Sequence, residues 1–120
     1  MYSYRRLTPE VTMTHAPLSP ITYHVLLALA DCELHGYGIL KEVEVLSDGG
    51  LTLETGTLYA AIRRLRQEGL IEAGAPTPES DARRKNYRLT PTGTVALRRE
   101  TERLARVLEA AYTKNVLRTS

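Results

Sequence analysis

Tryptophan and phenylalanine are absent, and all seven aromatic residues are tyrosines. A tyrosine joins an apolar ring to a polar tip, so these rings suit positions half in a core and half at a wet interface. There is a single cysteine, Cys32, which excludes a disulfide framework within the chain and fits a reducing, cytoplasmic setting. Cys32 is expected to be a small buried residue rather than a redox sensor. The longest apolar run, Val25 to Ala30, is far shorter than the roughly 20 residues that cross a bilayer, so no membrane partner is expected. The opening stretch MYSYRRLTPE carries two arginines with no apolar segment behind them, and a signal peptide is not expected. His15, His24 and His35 share no ligand spacing with cysteine or carboxylates. No glycine-rich phosphate loop or nucleophile elbow occurs. Metal, cofactor and enzyme chemistry are therefore not expected.

What is present suits one compact domain. The chain has 120 residues, 42% hydrophobic and 25% charged, with a formal net charge of +2. So small a net charge says little about partners, and the placement of the charges matters more. Residues 1–19 lack periodicity and read as an arm, with a short helix as the alternative. Ser19-Pro20 is a helix-start signal, because serine caps and proline fits the first turn. Ile21, Val25, Leu26 and Leu29 follow at helical spacing, with an end expected near Asp31–Cys32. His24 is read as a packing residue, and His35 as a cap or packing residue before Gly36. Ile39, Leu40, Val43 and Leu46 form the stripe of a second helix, stopped by Asp48-Gly49-Gly50. Leu51–Leu53 is a short strand candidate.

A third helix occupies ETGTLYAAIRRLRQEG. Leu58, Ala61, Ile62 and Leu65 share one face, and Ala60, Arg63, Arg64 and Gln67 fall opposite. Tyr59 and Arg66 lie on one flank. Residues 70–74 and 85–90 read as two strands of a hairpin, joined by the polar stretch APTPESDARR. Thr90-Pro91 repeats the cap-then-proline signal and opens a last helix to about Asn115. Along it Leu97, Leu104 and Ala111 recur every seven residues, with Val107 and Leu108 between them, the pattern of a short coiled-coil seam. The fold expected is mainly α with a small β-hairpin: a winged helix-turn-helix over 20–90 and a C-terminal dimerisation helix over 91–120.

In that architecture the third helix enters the major groove of duplex DNA with its outward face. Arg63 and Arg64 suit a guanine edge or a phosphate. Arg66, on the flank, suits a phosphate. Thr55 and Thr57 bring hydroxyls to the helix start, where free backbone N–H groups favour an anion. The hairpin adds Arg83, Arg84 and Lys85 in a row, with Arg88 further along. A solvated basic face is an equal reading of the helix alone. The second cluster, on the hairpin, moves the balance to nucleic acid. A winged-helix module that binds protein rather than DNA is the alternative.

The stretches HGYGILKEVE, GTLYAAIRRLRQEGLIEAG and RRKNYRLTPTG resemble the PadR family of bacterial transcriptional regulators over about residues 20–95. The resemblance implies a homodimer joined largely by the C-terminal helix, reading a pseudo-palindromic operator and repressing a nearby operon until a ligand or signal relieves it. With one helix after the wing, the chain resembles the family's short subclass. By matching position, Tyr37, Thr57, Tyr59 and Arg63 would face DNA from the helices, and Arg83, Arg84, Lys85 and Tyr87 from the wing. Tyr59 is expected to pack its ring and turn its hydroxyl to a phosphate, and the ring of Tyr87 to lie in the hairpin core. The chain departs from the family pattern at Ala60, where proline is usual, and at Glu54 and Thr55, where serine and proline are usual. Glu54 makes a poorer cap and sets a negative charge near the DNA side. Some short relatives stack flat hydrophobic drugs on tryptophan between their C-terminal helices. This chain has only Tyr112 there, which favours a dry seam of leucine and alanine at Leu97, Leu104, Val107, Leu108 and Ala111.

Overall fold

The computed structural model describes residues 17–75 and 85–117. The order is α1 (Pro20–Ala28), β1 (Leu34–His35), α2 (Gly36–Leu46), α3 (Thr55–Gln67), β2 (Ile71–Ala73), β3 (Asn86–Leu89) and α4 (Pro91–Thr113). This is the winged helix-turn-helix with a long last helix that the periodicity predicts. Residues 1–16 of the arm and the wing residues Arg83 and Arg84 lie outside the described residues.

Both serine- or threonine-proline signals cap their helices. Ser19 Oγ accepts from the Thr22 N–H at 3.1 Å, and Thr90 Oγ1 from the Gly93 N–H at 3.0 Å. α1 stops earlier than expected, because the Leu29 and Ala30 N–H groups tighten onto Leu26 and Leu27 and close the helix. His35 caps α2, its Nδ1 accepting from the Gly38 N–H at 3.2 Å. Gly36 therefore begins a helix instead of breaking one. α3 ends as its sequence suggests: Gly69 takes φ 77°, and the Leu70 N–H reaches back to the Leu65 carbonyl at 3.0 Å. That is a glycine-based Schellman end.

The third strand is not where the sequence places it. Leu51–Leu53 pairs with no strand; the Leu51 N–H is satisfied by Ser47 Oγ at 2.9 Å, and Leu53 packs inward. Instead Leu34–His35 takes the free edge of β3, giving an antiparallel sheet in the order β1-β3-β2. Two residues are too few for a periodic signal to show in the sequence.

Val25 and Leu26 of α1, Ile39 and Val43 of α2, and Leu58, Ile62 and Leu65 of α3 form the core, closed below by Ile71 and Tyr87 of the sheet. Each such aliphatic side chain contributes about 1.5–3 kcal/mol on burial. Leu46, expected in the stripe of α2, is exposed at its C-terminus. Cys32 is exposed as well, in the turn after α1. Slight desolvation and the neighbouring Asp31 carboxylate push its thiol up, so it stays protonated and is a poor nucleophile.

α4 is joined to this core by close contact. A methyl group on Gly93 would overlap the carbonyl oxygen of Leu70, so the first turn of α4 sits directly on the link between α3 and β2. Thr90 Oγ1 also donates to the Gly69 carbonyl there, at 2.5 Å. Further along, Leu97 is buried, Tyr23 and Thr101 hydroxyls meet at 2.8 Å, and Glu100 is buried with both carboxylate oxygens on Arg103. The Arg103 guanidinium, helped by the backbone of Leu18 and opposed by burial, holds the Glu100 carboxyl below the usual carboxylate range. A carboxyl lowered in this way contributes stability that is complete above its unfolded value, about 4.3, and is lost as pH falls through the lower folded value. Glu100→Gln should therefore unfold more readily than the parent at neutral pH, and the gap should narrow below about pH 4, as read from urea midpoints across a pH series.

Candidate nucleic-acid interface

The core stripe decides which residues α3 turns outward. With Leu58, Ala61, Ile62 and Leu65 buried, Thr55, Thr57, Tyr59, Arg63, Arg64 and Arg66 are all exposed. At the helix start Glu54 occupies the cap position without a side-chain hydrogen bond, so the first-turn N–H groups keep no side-chain partner. Thr55 and Thr57 flank these donors, and Glu54 sets its charge beside them.

The three arginines separate differently from the sequence reading. Arg63 stands at the rim of a cleft between α3 and the sheet, about 460 Å³ in volume and lined also by Tyr59, Ile62, Arg66, Gln67 and Tyr87. Arg64 turns the other way, to α1, where its guanidinium lies 3.5 Å from Thr22 Oγ1. Arg63 thus belongs with Arg66 and Tyr59, not with Arg64. Among the described residues no carboxylate pairs with any of the three.

Tyr87 is a correction as a surface contact. It is 7% exposed, its ring in the core as the strand alternation requires, with the Arg66 guanidinium 5.9 Å from the ring centroid. Burial, and then the nearby Tyr59 phenol, push its hydroxyl up against the pull of Arg66, so it stays protonated. Tyr59 is half in and half out, at 42% exposure. Tyr37 is more exposed still, on the first turn of α2, stacked on His35 and with Lys41 Nζ 5.7 Å from its ring. Lys85 is exposed just before β3.

Arg88 leaves the set of available cations. It donates from Nε to Glu72 at 2.9 Å and lies 3.5 Å from Glu33, so one guanidinium ties β2 and the residue before β1 to the central strand. The Glu72 partner is legible as a cross-strand neighbour. Glu33 is not, because its approach depends on the unforeseen strand β1.

On α4 the expected seam divides in two. Leu97 is a core residue of its own chain and is corrected as an interface residue. Leu104, Val107, Leu108 and Tyr112 are exposed, and Ala111 is half-buried among them. The described residues contain no group of three or more histidines, cysteines or carboxylates placed to hold a metal. No helix among them is long and apolar enough to cross a membrane.

Comparison with known proteins decides the family. The model of the transcriptional regulator PadR-like family matches residues 25–99, which spans β1 to β3 whole, the second part of α1 and the first turns of α4. The chain belongs to the PadR-like family. It is similar to the transcriptional regulator Rv3488 of Mycobacterium tuberculosis, 39% identical over 89 residues, 72% of this chain and 79% of that one. Its fold is similar to that of a PadR family transcription regulator from Clostridium difficile, with a TM-score of 0.67 and 25% identity over 79% of this chain and 97% of that one. It is also similar to Bacillus subtilis PadR, solved in complex with operator DNA, with a TM-score of 0.58 and 24% identity. That match covers 67% of this chain and 46% of the Bacillus one. The protein is accordingly a PadR-family transcriptional regulator, and members of this family are regulators and not enzymes. Because carboxylates hold Arg88 on this regulator's sheet, Arg88→Gln should leave the salt dependence of duplex binding unchanged in a fluorescence-anisotropy titration series.

Proposed function

We propose that this PadR-family regulator is a homodimeric repressor of the cytoplasm that binds operator DNA with α3 in the major groove and the wing on flanking phosphates. The observation that carries this reading is the outward face of α3, where Arg63 and Arg66 stand without a carboxylate partner among the described residues. Support comes from the fold, which is similar to that of a PadR protein solved on its operator. Arg63, nearest the middle of the exposed face, is the base reader. Arg66 and Lys85 hold phosphates, and Arg83 and Arg84 join them from the wing. Thr55 and Thr57 offer an anion site at the start of α3, and Tyr37 a contact from α2. Relief by a ligand or signal completes the reading.

Leu104, Val107, Leu108 and Ala111, with Tyr112 beside them, are the dimer seam, and an apolar stripe of this kind on a projecting helix calls for a partner. Two-fold symmetry then gives a pseudo-palindromic operator, with half-sites about 10 bp or a multiple apart. Leu104→Glu would bury a charge at the seam twice over. It should weaken self-association at least about a hundredfold, roughly 3 kcal/mol, so that sedimentation finds monomer at micromolar concentration. A monomeric parent chain would rule out the seam.

Selection from a random DNA pool tests the reading as a whole. Arg63→Ala should lose discrimination at one operator position, worth about 1–3 kcal/mol, while other positions keep their preference. Uniform weakening would make Arg63 a phosphate contact. The rival, a protein-binding winged helix, predicts that the chain passes through a heparin or DNA column at low salt.

A further inference from the structure

Gly36 opens α2 and is buried, and its φ lies outside the left-handed region, so its backbone does not require glycine. Tyr59 does require it. A methyl group on Gly36 would overlap the Tyr59 hydroxyl and stand 2.7 Å from Cζ. The phenol carried by α3 therefore lies flush against the first turn of α2, with no room for a side chain between them. His35 holds that turn through its bond to Gly38.

The same phenol forms one wall of the cleft shared by Ile62, Arg63, Arg66, Gln67 and Tyr87. Among the described residues no carboxylate lines this cleft. Their polar groups are two guanidiniums, two phenols and one amide, and the Tyr87 phenol is held in its protonated form. Donors and cations converging on one space suit an oxyanion. The volume, about 460 Å³, leaves room for a phosphodiester and an adjoining sugar. Resting on the DNA-binding reading above, we propose that the cleft seats one backbone phosphate of the bound duplex, with Arg66 as its cation, the Tyr59 hydroxyl as its neutral donor, and Gly36 as the positioning residue that sets where that hydroxyl stands. The contact is blind to sequence and fixes the register in which Arg63 meets the bases.

The test uses the full chain and a duplex selected from a random pool, with affinities measured across a salt series. Arg66→Ala should lower the log–log salt slope by about 0.9 and leave the ranking of sequences unchanged. Gly36→Ala should keep a melting temperature near that of the parent, because the overlapped atoms are the tip of a side chain that can swing into the cleft. It should nonetheless weaken binding about tenfold, as the loss of a charge-assisted hydrogen bond does. Once Tyr59→Leu is present, Gly36→Ala should cost nothing more. If Gly36→Ala alone fails to fold, the double variant, in which the methyl meets no phenol, should fold and match Tyr59→Leu in affinity. Additive losses, or undiminished binding by Gly36→Ala, overturn the positioning role. A changed base preference in Arg66→Ala overturns the phosphate seat. A parent chain that retains no duplex from the pool refutes DNA binding itself, an outcome separate from all of these.

Discussion

Burial of Leu58, Ile62 and Leu65 against α1 and α2 is the constraint on which the rest depends. It sets the rotation of α3 about its own axis. A helix advances 100° per residue, so fixing three inward positions fixes each outward one. Arg63 is exposed because Leu58, Ile62 and Leu65 are not. The same rotation carries Arg64 to the α1 side and Arg63 and Arg66 with Tyr59 to the cleft beside the sheet, so three nearby arginines meet two different surroundings. Turning the helix by one residue would put the core residue Ile62 where Arg63 now faces outward. The stability of the core and the aim of the basic face are therefore a single property.

The last helix works by a similar division, along its length instead of around it. Its first turns are clamped to the core by the approach of Gly93 to Leu70 and by Leu97, Thr101 and the Glu100–Arg103 pair. Its later turns carry Leu104, Val107, Leu108 and Tyr112 uncovered. One heptad stripe thus serves two purposes, and the change falls at the buried carboxylate. Because the helix is continuous through Thr113, a partner that grips its far half also fixes the orientation of the domain clamped to its near half. In the proposed dimer, a seam remote from α3 would in this way set the spacing between the two α3 helices.

Long-period features were legible in the sequence, and close approaches were not. The stripes of α1 to α4, both proline-adjacent caps and the glycine end of α3 follow from spacing and residue type, and the structure has each of them. The heptad rule assigned Leu97 and Leu104 alike to a partner, yet Leu97 is buried in its own chain and Leu104 is exposed, because periodicity reports which side is apolar and not which molecule covers it. The strand at Leu34–His35 was missed, and with it the Glu33–Arg88 pair, which exists only once β1 joins β3. Cys32 shows the converse. A small residue after an apolar helix reads as buried, yet α1 ends early and leaves it in an exposed turn. The resemblance in HGY and GTLY marked Gly36 and Tyr59 separately, but nothing in either motif says that the two touch.

That contact bears on how a chain with so little net charge can hold DNA. The excess over the whole sequence is +2, and Arg88, Arg103 and Lys41 each lie beside a carboxylate. Attraction at a distance is therefore weak, and in the proposed reading binding rests on the cations of one face that have no carboxylate partner among the described residues. With few charges, their exact placement matters more, since each phosphate contact is a larger share of the total. A neutral donor such as the Tyr59 hydroxyl adds to a phosphate contact without adding charge, but only if it is held in place beforehand, because a donor that must be ordered on binding loses much of its contribution to entropy. In the proposed phosphate seat, the missing side chain at Gly36 would let that ordering be complete before DNA arrives, and so would connect the packing of α2 on α3 to the grip on the duplex.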